Sequence, residues 1–179
     1  MSQKRVPAIF MRGGSSKGVF FHSSDLPEDK NKWNEIFLSV LGSPDPYGRQ
    51  LNGMGGGISS LSKAVVIGPP TRPDADVDYT FAQVSVRDAL VDYSSNCGNL
   101  SSAVGPFAID TGLVDASATE REVRIHNTNS RKLIVSRVPI RAGLSEVVGD
   151  FSIPGVSGTG AKIQLDFLDP GGTRTGRLL

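Results

Sequence analysis

The chain has little sulfur and little imidazole: one cysteine, Cys97, and two histidines in 179 residues. A single cysteine excludes an intramolecular disulfide framework and a cysteine-rich zinc site, and two histidines offer little for binding any other metal. An excess of either charge is also missing, since 19 Lys and Arg stand against 18 Asp and Glu, a net charge of +1. With no broad positive field, neither nucleic acid nor an anionic membrane surface is expected as a partner, so an anionic ligand must be held by local geometry. No apolar run approaches the ~20 residues of a membrane span, and residues 1–10 lack the apolar core of a signal peptide. These absences leave a cytoplasmic enzyme or binding domain as the expectation.

What is present is an ordinary globular composition, 38% hydrophobic and 21% charged, long enough for one large domain or two small ones. Twenty-one glycines and eleven prolines punctuate short apolar runs, the pattern of a β-rich fold with few helices. Strands are expected over residues 6–10, 19–21, 64–67, 79–86, 122–127, 132–138 and 161–167. Asn127, Thr128, Asn129 and Ser130 supply the turn of a hairpin. One helix is expected over residues 27–41, where Trp33, Ile36, Phe37, Val40 and Leu41 form an apolar stripe ended by Gly42. A second is expected over residues 100–109, kinked or split by Pro106. The last loop runs through Gly172, and residues 176–179 contain no closing element.

The most informative stretch is SSNCGNLSSAVG, residues 94–105, where a polar turn runs into the second helix. Asn96 or Asn99 can cap that helix, which places Cys97 at or just before its first turn. Unpaired backbone N–H groups and the positive end of the helix dipole favour a thiolate there, and equally a substrate carboxylate. Gly98 lacks the Cβ that would hinder close approach of a ligand. The competing reading is that a free cysteine is a small buried hydrophobe without chemistry, but the surrounding Ser, Asn and Gly are poor material for an apolar wall.

Two glycine-rich segments accompany it. Arg12-Gly13-Gly14-Ser15-Ser16-Lys17-Gly18, between apolar runs, reads as a turn that gathers backbone N–H groups, two hydroxyls and two cations into an anion-binding loop. It matches neither the Walker A motif nor the dinucleotide fingerprint. Four glycines at residues 53–57 lead to Lys63 and mark either a special turn or a ligand approach. An amine between that loop and an apolar strand can be desolvated, which lowers its pKa toward the range where neutral amine is a base. The alternative for Lys63 is a solvated strand end. His126, at the end of a strand, is a possible base or a hydrogen-bonded structural residue.

Taken together, RGGSSKGVFF, GGGISSLSKAVVIG, YTFAQVSV, DYSSNCGNLSSAVGPFAI and VRIHNTN resemble the PrpF family, the 2-methylaconitate isomerases, a family that looks like it includes 4-oxalomesaconate tautomerase and related allylic isomerases. The resemblance implies an α+β fold of the diaminopimelate epimerase type, mainly antiparallel strands wrapped around a central helix. It implies a reaction that shifts a proton across the allylic unit of a small unsaturated di- or tricarboxylate, with no cofactor and no metal. By motif, Lys63 and Cys97 correspond to the acid and base positions. Ser15, Ser16, Lys17, Ser60, Gly98 and Asn99 correspond to positions that bind substrate carboxylates. Family members are expected to carry two such domains, so residues 1–179 correspond to the N-terminal one, with a second domain or a homo-oligomer as further partner.

Two other classes of function compete. A non-catalytic module, or an inactive fragment, would bind a small carboxylate through the same loops without turnover. A cysteine-dependent racemase would need a second thiol, and Cys97 stands alone.

Overall fold

The computed structural model describes residues 3–171; Gly172 and the chain end at 176–179 lie outside them. Nine strands form one curled mixed sheet: β1 Ile9–Gly13, β2 Ser16–His22, β3 Lys63–Gly68, β4 Val77–Val84, β5 Val91–Asp92, β6 Glu120–Asn127, β7 Lys132–Arg141, β8 Leu144–Ser145 and β9 Gln164–Phe167. The order is β1-β2-β3-β4-β6-β7-β8, with β5 beside β4 and β9 beside β7. The β2–β3 and β4–β6 pairings are parallel and the others antiparallel. Two helices are added, α1 Trp33–Leu41 and α2 Gly98–Asp110.

Side chains of a strand alternate between faces, and here both faces are buried by different partners. Val19, Phe21, Ala64, Val66, Ala82 and Val84 pack with Trp33, Phe37 and Leu41 of α1. Phe20, Val65, Ile67, Tyr79 and Phe81 point the other way and pack with Leu100, Val104 and Phe107 of α2. Residues 63–68 are buried throughout, which accounts for an apolar run that does not alternate with polar residues. Contacts of α2 with β1, β2, β6, β7, β8 and β9 show the sheet curving around this helix.

Several boundaries differ from expectation. The first strand lies three residues later than residues 6–10, because β1 pairs with β2 through a two-residue turn, Gly14-Ser15, with Gly13 opposite Ser16. Helix α1 begins at Trp33 rather than near residue 27. Asp29 accepts a hydrogen bond from the Asn31 N–H and caps a short 3-10 turn instead, a local bond that competes with the helical one. Helix α2 begins at Gly98 with Cys97 itself as N-cap, and neither Asn96 nor Asn99 makes a side-chain cap bond. Pro106 leaves α2 unbroken; it lies with Ser102 on the helix's partly exposed side, where a freed carbonyl is not sealed in the core. The hairpin at 127–130 forms as expected, with Asn127 Oδ1 accepting from the Ser130 N–H.

Candidate active site

The glycines of the first loop bring α2 onto the sheet. A Cβ on Gly13 would lie 2.5 Å from the Asn99 carbonyl oxygen and 2.9 Å from the Leu100 Cα, so only glycine lets the helix begin there. The expected glycine-rich turn is a tight hairpin in which Gly13 faces the backbone of α2 and Gly14 the Asn99 side chain. Its tip is tied to that helix by Asn99 Nδ2, which donates to Ser15 Oγ at 3.3 Å. The second glycine run is likewise packed within the protein, since a Cβ on Gly53 would strike the Leu41–Gly42 backbone. It wraps the buried Gln50, whose amide donates to Ser43 and Ser62 and accepts from the Gly57 N–H.

Lys63 begins β3 on the α2 face and is 7% exposed, so it is not a solvated strand end. Directly across the β3–β4 ladder lies Gln83, whose Oε1 accepts from Lys63 Nζ at 2.6 Å. The Phe81 ring lies beneath the amine, 5.0 Å from Nζ. Burial pushes the Lys63 pKa below that of an ordinary lysine, while the nearby Cys97 charge opposes the shift. The two groups, 34 residues apart in sequence, thus lie within electrostatic reach in the fold.

Cys97 is half-buried, at the start of α2. Its Sγ lies 3.9 Å from the Oγ of Ser16, which is buried at the first position of β2. The Cys97 carbonyl accepts from the Ser101 N–H and Oγ, and from the Tyr79 hydroxyl at 3.5 Å. Burial raises the Tyr79 pKa, so this phenol stays protonated and acts as a support for the turn. Apart from its chain neighbours and its own helix, none of the described residues lies within 4 Å of the place a Gly98 Cβ would occupy. The helix N-terminus therefore opens onto free space, with the first N–H groups that an α-helix cannot pair internally.

The fold thus gathers Ser15, Ser16, Lys63, Cys97, Gly98 and Asn99 at one end of the α2 face. Ser60 lies half-buried in the short 3-10 turn Ser59–Leu61 just before Lys63. Lys17 stands apart: it alternates away from Ser16 and Gly18 on β2, is exposed, and rests 5.7 Å over the Phe10 ring. Buried His126 donates from Nδ1 to Oδ1 of the half-buried Asp78 at 2.8 Å, away from this group, which fits the structural reading. The sequence reading missed Gln83. Its signal was a polar residue in the otherwise apolar alternation of β4, but its significance depends on the β3–β4 register. Among the described residues no cluster of His, Cys, Asp or Glu could hold a metal ion, and no helix is long and apolar enough to cross a membrane.

A family model described as "PrpF protein" matches residues 3–179. The chain belongs to the PrpF family. It is 49% identical to 3-methylitaconate isomerase of Eubacterium barkeri over 99% of this chain and 46% of that protein. It is 48% identical to 2-methyl-aconitate isomerase of Cupriavidus necator over 97% of this chain and 46% of that protein. This PrpF chain thus spans about half the length of the curated relatives it matches. A crystal structure of methylitaconate-delta-isomerase superposes with a TM-score of 0.93 at 49% identity, covering 99% of this chain and 45% of that one. A hydroxyproline epimerase from Agrobacterium vitis, 13% identical with a TM-score of 0.52 over 78% of this chain and 39% of that one, shares the fold alone.

Proposed function

We propose that this chain forms one side of a cofactor-independent isomerase site that moves a proton across the allylic unit of a small unsaturated di- or tricarboxylate, of the 2-methylaconitate or 3-methylitaconate kind. The observation that carries this reading is Lys63, a lysine 7% exposed on the α2 face of the sheet and within electrostatic reach of Cys97 at an open helix N-terminus in a PrpF chain. Neutral Lys63 takes a proton from the allylic carbon, and the electron pair delocalises toward the conjugated carboxylate. The helix N–H groups and dipole, with Ser15, Ser16, Gly98 and Asn99 around them, hold that carboxylate and the developing charge. The proton returns at the other end of the allylic unit from the Lys63 ammonium, with the Cys97 thiol as auxiliary acid or polariser. Ser60 lines the rim beside Lys63.

In this reading residues 1–179 are the N-terminal of two diaminopimelate epimerase-like domains, and the facing wall comes from the second domain or from another copy of the chain. Excluding water from the closed site would strengthen the electrostatic grip on the intermediate.

Incorporation of deuterium into 2-methylaconitate or 3-methylitaconate in D2O, followed by NMR, tests this. Lys63→Met should lower the exchange rate by about 10²–10⁴-fold, the usual contribution of a positioned acid or base, and Cys97→Ser should lower it less. With neutral amine as base, the rate should rise with pH and level off below the ~10.4 of a free lysine. Exchange at the wild-type rate in Lys63→Met would remove the assignment. Saturable binding of the acid by wild type, with no exchange at any pH, would instead favour a carboxylate-binding module.

A further inference from the structure

The amide of Gln83 has one orientation compatible with its surroundings. Its Nε2 donates to the Ser59 carbonyl at 3.0 Å and to the Ser62 carbonyl at 2.9 Å. Turned over, the amide would point Oε1 at two carbonyl oxygens and lose both of those bonds, leaving two buried-side acceptors facing a third. The two acceptors belong to the backbone of the 59–62 turn, so the grip does not depend on any mobile side chain. Oε1 is thereby presented to Lys63 Nζ at 2.6 Å, from a residue fixed opposite Lys63 in the ladder.

We propose that Gln83 is a positioning residue for the proton carrier: its locked amide takes one N–H of Lys63, aims the amine toward Cys97 and, being uncharged, lets the amine exist without its proton. This rests on the proposed role of Lys63 above. A neutral amine that donates one hydrogen to Oε1 keeps its lone pair directed elsewhere, free to accept a proton from carbon. A carboxylate at the same place would hold the ammonium form by direct attraction. The choice between Gln and Glu at position 83 therefore sets whether Lys63 is a base or a salt-bridge partner. Among the described residues, Gln83 is the side-chain hydrogen-bond acceptor of the Lys63 amine. Strand β4 brings the Phe81 ring beneath the amine, β2 brings Gly18 against the Lys63 backbone and Cβ, and α2 brings Cys97, the titratable group whose charge reaches Lys63.

The test is a direct titration of Lys63 in the protein, with selectively labelled lysine followed by NMR, run beside the deuterium-exchange assay. Gln83→Glu should raise the Lys63 midpoint by one unit or more. The neutral fraction below the midpoint falls about tenfold per unit, so the exchange profile should move to higher pH by the same amount, with the substrate KM within about threefold. Gln83→Met, which keeps the volume and removes the acceptor, should leave the Lys63 midpoint at or below the wild-type value. Its rate at the pH plateau should nevertheless fall about tenfold, because the amine is no longer aimed. An unchanged midpoint in a folded Gln83→Glu protein, or a wild-type plateau rate in Gln83→Met, would overturn the proposal. If Gln83→Glu does not fold, the Gln83→Met plateau decides. If wild type shows no exchange while Gln83→Glu still moves the midpoint, the isomerase reading fails and the hold of Gln83 on Lys63 stands.

Discussion

The two faces of the sheet are built from the same strands and end differently. On one, Phe37 stacks on Phe21 with centroids 5.4 Å apart, Trp33 tilts against it at 6.2 Å, and Leu41, Ala64, Val66, Ala82 and Val84 complete the apolar packing. On the other, α2 fills the centre with Leu100, Val104 and Phe107, but at its first turn the apolar packing gives way to Ser16, Lys63, Gln83 and Cys97. A face covered along its length by an amphipathic helix serves stability. A face covered by a helix whose start is left open serves stability in the middle and leaves, at the end, the place where the proposed chemistry would occur. The difference lies in how the helices begin: α1 continues directly from the 3-10 turn Lys30–Lys32, whereas α2 begins on a cysteine with open space beyond Gly98.

The largest effect that separates the faces is expected at Phe37. Phe37→Ala should cost about 3–5 kcal/mol of stability, the usual loss for a fully buried ring, measured by urea unfolding. If activity is present, exchange per folded molecule should stay within about twofold of wild type; a selective loss of exchange would join the two faces into one functional unit. Next comes a pair of glycines. Gly13→Ala forces a methyl against the main chain of α2 and should cost about 1–3 kcal/mol. Gly98→Ala, with nothing within 4 Å, should leave stability within ~0.5 kcal/mol, so equal melting shifts for the two would break the contrast. The smallest effect is expected at Lys17, which faces away from the site. Lys17→Ala should change the affinity for a dicarboxylate by less than about twofold at moderate ionic strength, where distant exposed charges are screened. A tenfold loss, read by calorimetric titration, would bring the hairpin's outer face into the binding site.

The Asn127–Ser130 hairpin was legible because Asn and Ser write a turn with their own side chains. The α1 stripe was legible because i, i+4 and i+8 share a helix face. The start of α1 was not, because an Asp29 cap on a 3-10 turn and a helical first turn have the same local signature. The glycine runs were legible as places where something comes close, but not what: Gly13 and Gly53 meet main chain of α2 and of the end of α1, while Gly14 and Gly55 meet the side chains of Asn99 and Gln50. Gln83 was invisible because an isolated polar residue in a strand acquires meaning only from the residue opposite.

By itself, then, the sequence determined the local alphabet of this protein: β-rich with few helices, a cysteine at a polar helix start, a lysine entering a buried strand, and motifs of the PrpF family. Turn chemistry and apolar periodicity act over a few residues, and such information survives in a linear reading. Only the tertiary structure decided that Lys63 is buried rather than solvated, that Lys17 and Ser16 face opposite ways, and that residues 16, 63, 83 and 97 converge. Those outcomes depend on strand order and register, where a shift of one residue turns every side chain to the other face.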